Sequence, residues 1–172
     1  MSKSDQRRSA IIDALADHVL AHGLPAASLR PLAKAAAISD RMLLYYFKDK
    51  AEVMAAVLER VALRLTLLME AMGARTPQPV ATLHAELLRV LLTDELWPFM
   101  CVWLEIAALS ARGDPLYRAI GEAIGRGFLA WGAAQLDSPA ETRDADALRL
   151  LTMIEGAVVL KSLGIVSPAA TR

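Results

Sequence analysis

An all-α fold is predicted for these 172 residues by their apolar side chains, which recur every three or four positions, while almost no segment alternates with the period of two that a strand needs. Glycine and proline punctuate that pattern where helices should end: Gly23, Pro77 and Pro79, Gly113 with Pro115, and Pro139. The chain is 55% hydrophobic with a mean hydropathy of +0.36, enough to bury a core and still leave apolar surface for a partner. Formal net charge is zero, yet in the first fifty residues lysine and arginine outnumber aspartate eight to five, a local basic patch of the kind that meets nucleic acid. The single cysteine, Cys101, excludes an intrachain disulfide, and the opening residues lack the apolar core of a signal peptide, so a reducing cytoplasm is expected. The most apolar run, Leu96 to Ala111, is interrupted by Pro98 and Glu105 and is too short to span a bilayer.

The first helix is expected over Asp5–His22, with Ile11, Ala14, Leu15 and Val19 inward and Gly23 as its stop. Ser28 then reads as an N-cap, and Pro31 falls in the following first turn, where a missing N–H costs little. The short helix so begun buries Leu32, Ala33 and Ala36. Ala37-Ile38-Ser39 leaves room only for a sharp corner, and Ser39 caps a second short helix, Asp40–Phe47, giving a helix-turn-helix. On that second helix Leu43 and Phe47 form the buried stripe, Arg41 and Tyr45 fall nearly opposite, and Met42 and Tyr46 lie on the shoulder. Such a face suits a DNA major groove: arginine forks onto guanine, an apolar side chain meets the thymine methyl, and tyrosine hydroxyls reach phosphates. Asp49 and Glu52 are spaced as an N-cap and its N3 partner, so a longer helix starts with Lys48 and Lys50 at its mouth, a place that suits a phosphate.

From about Arg8 to Leu58 these residues resemble the tetracycline-repressor (TetR) family of bacterial regulators. Ser28 stands at that family's Thr/Ser opening, Leu32-Ala33 at its Ile-Ala or Leu-Ala pair and Ala37-Ile38-Ser39 at its small-residue turn. Tyr45-Tyr46-Phe47 stands at the aromatic end of its recognition helix, and Lys50 at the lysine that opens the next. Ala37 replaces the usual glycine, Arg41-Met42 the common Gly-Thr, and Leu44 a frequent tyrosine, departures that point to an unusual operator. The resemblance implies a three-helix DNA-binding head, residues 1–50, joined by a long helix to a helical ligand-binding and dimerisation domain, residues 51–172. It also implies a homodimer whose recognition helices enter successive major grooves, about 34–36 Å apart, of a palindromic operator. A small, largely apolar effector would change that spacing and release the DNA, making the protein a repressor. The DNA contacts expected are Ser28, Arg30, Ser39, Asp40, Arg41, Met42, Tyr45, Tyr46 and Lys50. Asp40 reads also as a charge favoured at a helix N-terminus, and Arg30 and Lys48 read also as merely solvated.

Further helices are expected from Asp49 to Gly73, with Val53, Val57, Val61, Leu65, Leu68 and Met72 inward and Glu52, Glu59, Arg60 and Glu70 outward. Others follow over Val80–Thr93, Asp94–Arg112, Pro115–Leu136 and Thr142–Leu163. The fourth of these five should bury Leu116, Ile120, Ile124, Phe128 and Trp131. The last is apolar round nearly its whole circumference and must be covered on two sides, which points to a second subunit with Phe128, Trp131, Leu151, Ile154 and Val158 in the interface. His84, Glu105, Glu155 and Arg64 interrupt apolar faces, either as paired groups or as polar anchors of a cavity. Met69, His84, Met100, Trp103 and Glu105 are the expected ligand contacts, with an ordinary core role the plainer account of the methionines and tryptophans. His18 and His22 have a zinc-compatible spacing but no third ligand nearby, and Cys101 has no neighbouring base, so no metal or cofactor is expected. No nucleophile, base and orienter stand together, so no enzymatic activity is expected. The rival from another class is an all-helical enzyme or small-molecule carrier whose head contacts protein rather than DNA.

Overall fold

Helices form where the apolar spacing and the caps place them. In the computed structural model, which describes residues 3–72 and 76–166, eight α-helices follow one another: α1 (Lys3–His22), α2 (Leu29–Ala35), α3 (Asp40–Tyr46), α4 (Lys50–Met72), α5 (Val80–Leu91), α6 (Trp97–Ala111), α7 (Pro115–Gln135) and α8 (Arg143–Ser162). A single 3-10 turn, Leu24–Ala26, separates α1 from α2, and no strand occurs among the described residues. Among those residues no helix is long and apolar enough to cross a membrane. Packing groups the chain into two units. The first takes the described residues up to Leu67 together with Cys101–Gly121, and the second takes those from Leu68 to Met100 and from Glu122 onward. Packing thus associates more of the chain with the head than residues 1–50.

In the first unit Leu15, Ala16, Val19, Leu32, Leu43, Phe47, Val53, Met54, Val57 and Leu58 are sealed from solvent. The expected inward row of α4 holds through Val53, Val57, Val61 and Leu65, but its next member is Met69, not Leu68, which is exposed. The side chain of Met72, and Gly73, lie outside the described residues. Arg60, expected outward, is drawn in with Arg64 to form an ion-pair ladder with α1: Arg60 and Arg64 both donate to Asp13, and Arg64 also donates to Asp17 at 2.6 Å. Burial raises the Asp13 carboxyl, but hydrogen bonds and charge from the two guanidiniums outweigh it and hold the group below the usual carboxylate value. Pairing therefore explains why Arg64 interrupts an apolar face.

α2 ends in a Schellman motif: the Ile38 amide donates to the Ala33 carbonyl at 3.0 Å and the Ala37 amide to Lys34 at 3.1 Å. The residue such a motif needs in the left-handed region is Ala37, at φ 53°. α6 and α8 end with the same pair of bonds, and there glycine, Gly113 and Gly164, takes the left-handed position.

In the second unit α5 packs on α8, and Leu83, Leu87, Leu91, Ala147, Leu150, Ile154 and Val158 are buried. Lys161 in the last turn of α8 donates to the Leu92 carbonyl, with its ammonium 4.1 Å from the centre of the Trp97 ring. Backbone bonds from Gln78 to Gln135 and from Asp137 to Gln78 pin the start of α5 to the end of α7. Of the five α7 residues expected inside, only Ile120 is buried; Leu116, Ile124, Phe128 and Trp131 are half-exposed.

Candidate nucleic-acid interface

Capping decides the shape of the head. Ser39 holds an extended backbone and its hydroxyl accepts from the Met42 amide at 3.1 Å, which starts α3 at Asp40. Leu43 and Phe47 are then fully buried, and the opposite side of the helix is left open: Arg41 is exposed, Tyr45 is 78% exposed and Met42 45%. Tyr46 is half-buried and stands edge-on to Tyr45, with ring centres 5.3 Å apart, so it braces the more exposed ring. Ser28, Arg30, Ser39, Asp40 and Lys50 are all exposed. Ser28 opens α2 by backbone conformation alone, without a side-chain cap bond.

The mouth of α4 carries the expected reciprocal cap. The Glu52 amide donates to the Asp49 carboxylate at 2.9 Å, and the Glu52 carboxylate accepts from the Lys48 amide at 2.7 Å. Its other oxygen takes Arg8 of α1 at 3.1 Å, and the Arg8 guanidinium lies 4.6 Å from the centre of the Phe47 ring. Sequence spacing found Asp49 and Glu52 but missed Arg8, since a contact across forty-four positions leaves no local trace. Leu44, which the sequence marked only as a departure bearing on the operator, is 44% exposed on α3.

With this geometry in place, residues 11–57 match the family model described as bacterial regulatory proteins, tetR family. Over those residues the chain is similar to tetR-family regulators. Whole-chain comparison extends the likeness of fold. A structure from Rhodococcus sp., described as a putative TetR-family transcriptional regulator, superposes with a TM-score of 0.78 at 18% identity, covering 97% of this chain and 93% of that one. A transcriptional regulator from Pseudomonas aeruginosa PAO1 gives 0.72 at 16% identity, with coverage of 99% and 87%. The multidrug binding protein EbrR, complexed with proflavin, gives 0.70 at 22% identity, with coverage of 96% and 95%. No curated protein sequence matches the chain significantly. The all-α architecture is therefore the one that TetR-family transcriptional regulators use.

The residues expected around a ligand do not share one unit. Met69, His84 and Met100 belong to the second, the two methionines buried and His84 half-buried, while Trp103 and Glu105 belong to the first. The Glu105 carboxylate, expected as a cavity anchor, is instead committed to the head: it accepts from the Leu24 amide at 2.6 Å, just beyond the end of α1. Gly23 makes that contact possible, because a Cβ there would lie 2.6 Å from Glu105 Oε1. Burial, then the charges of Asp114 and Glu105, push the Tyr117 phenol above its ordinary value. An open groove of about 400 Å³ runs between α1 and α4, lined by residues that include Arg8, Ile12, Ala55, Ala56 and Leu63, and none of the five expected ligand residues lines it.

The expected dimer residues divide likewise. Phe128, Trp131 and Leu151 are half-exposed, whereas Ile154 and Val158 are 8% and 1% exposed and lie in the subunit's own core. Both were read as interface because an apolar circumference does not say which arc the chain itself covers. The exposed apolar residues of α8 are Leu148, Met153, Val159 and Leu160, with Leu163 just beyond its end.

Proposed function

We propose that this protein is a sequence-specific DNA-binding transcriptional regulator, and that it represses by occupying a palindromic operator as a homodimer in the cytoplasm. The observation that carries this reading is the α3 face on which Arg41 and Tyr45 stay uncovered opposite a sealed Leu43–Phe47 stripe. Arginine there forks onto a guanine edge, and Lys50 with the first amides of α4 takes a phosphate. Ser28, Arg30 and Tyr45 add backbone contacts, and Asp40 stays with its role at the α3 N-terminus.

Two copies associate through the exposed side of α8 together with Phe128, Trp131 and Leu151 of each. A small, largely apolar effector, contacted by Met69, His84 and Met100 of the second unit, favours a conformation in which the two heads no longer fit successive grooves. It shifts the balance only by its unequal affinity for the two conformations. EbrR, which shares the fold, is a multidrug binding protein complexed with proflavin, and that lends support to a small-molecule ligand here.

Selection of bound sequences from a random DNA pool tests the reading. Lys50→Ala should then weaken binding to every sequence and lower the salt dependence by roughly one phosphate contact, whereas Arg41→Ala should relax the preference at one base pair. A pool from which nothing is enriched, or binding that ignores salt, would overturn it.

A further inference from the structure

We propose that Leu44 is a specificity-determining residue of the head, reading the C5-methyl of a thymine, so that each operator half-site carries thymines on both flanks of the base pair taken by Arg41. This rests on the DNA-binding reading above and adds the composition of the site. At about 100° per residue, Met42 and Leu44 fall on opposite sides of the ridge made by Arg41 and Tyr45. Their exposures match, 45% and 44%, while Leu43 between them is wholly buried. The outward surface of α3 is thus a polar ridge between two apolar shoulders.

Chemistry restricts what the second shoulder meets. A leucine has no donor or acceptor, so neither a phosphate oxygen nor a guanine, adenine or cytosine edge gains from it. Among the groups displayed in the major groove, the thymine methyl is the apolar one. The neighbourhood is charged for DNA: Arg41 is on the same helix, and Arg30, Lys48 and Lys50 are exposed nearby in sequence. A tyrosine at position 44 would offer a hydroxyl to the backbone, whereas leucine withdraws that contact and substitutes a base-reading one.

The test removes methyl groups one at a time. An operator is selected with the full chain, each of its thymines is replaced singly by deoxyuridine, and the affinity of every duplex is measured for the native protein, Leu44→Ala and Met42→Ala. One thymine per half-site should lose about four-fold on demethylation with the native protein, the worth of burying one methyl-sized group, and lose nothing with Leu44→Ala. A different thymine should answer to Met42. Leu44→Val, which keeps a smaller apolar surface, should fall between native and alanine, and since both side chains are 44–45% exposed, thermal melting of all three variants should show only a small loss and a folded protein. If no thymine shows methyl dependence, or if every such loss persists in Leu44→Ala, the inference falls while DNA binding stands. If no sequence is enriched at all, the DNA reading falls and takes the inference with it.

Discussion

Replacing Gly23 by alanine should be among the most damaging single-methyl changes in the chain, and the structure gives two separate reasons. Gly23 has φ 73° and ψ 176°, a region open almost only to glycine, so any side chain adds roughly 1–3 kcal/mol of backbone strain. The added Cβ would also sit 2.6 Å from Glu105 Oε1 and 3.1 Å from Oε2. The carboxylate must then swing away and release the Leu24 amide it holds at 2.6 Å, and because the site is only part-buried that orphaned donor costs near the low end of about 1–3 kcal/mol. Together these give about 3 kcal/mol, which for a chain of this length lowers the melting midpoint by roughly 6–12 °C. Thermal unfolding at one fixed protein concentration measures it, since association would otherwise move the midpoint. Glu105→Ala alone should cost about 1 kcal/mol. The double variant should lose about 1 kcal/mol less than the two losses added together, because without the carboxylate the new methyl meets no clash. Midpoints for Gly23→Ala within 2 °C of native, or losses that add strictly, would refute the account.

Ala37→Gly should act in the opposite direction: the residue already occupies the left-handed position that Gly113 and Gly164 fill elsewhere, so glycine there should stabilise by about 1 kcal/mol and raise the midpoint a few degrees. The Asp13 ladder predicts a pH response. Its carboxyl titrates lower in the folded chain than in the unfolded one, so its contribution is complete above the unfolded value near about 4 and disappears as pH falls through the folded value. Urea unfolding from pH 6 to pH 3 should show that loss in the native protein and a shallower one in Asp13→Asn, which at pH 7 should be about 1 kcal/mol less stable, since Asp13 is 42% exposed. Val159→Glu with Leu160→Glu should yield monomers in sedimentation at micromolar concentration while leaving the thermal midpoint of the subunit fold in place; a persistent dimer would move the interface elsewhere.

How much of this could be read in advance depended on sequence separation. Ser39 and the Asp49–Glu52 pair act within four residues and capped their helices as their types and positions required, whereas the corner after α2 formed with Ala37 in a left-handed position that glycine fills more easily. The face of α3 followed from periodicity, and Leu44 was singled out only as a departure at a frequent tyrosine position, with no side of the helix assigned to it. Glu105 illustrates the opposite case. Its partner lies 81 positions earlier, so an acid interrupting an apolar run was equally consistent with a cavity anchor and with a tie to the head. Arg64 was ambiguous for the same reason until Asp13 and Asp17 appeared beside it. Ile154 and Val158 failed differently: α8 is apolar on several sides, and only the position of α5 says which of them is already taken.

The ladder between α1 and α4 places both of its anions on one helix and both of its cations on the other. Oil alone is indiscriminate, and the greasy sides of these two rods would lie against many neighbours. Two α1 rods laid in register would set aspartate against aspartate at the ladder, and two α4 rods arginine against arginine, so such like pairings are disfavoured there, while the Arg8–Glu52 pair runs in the opposite sense. What looks like a fastening is therefore also a filter on how a nascent chain, or a crowd of such chains, first comes together.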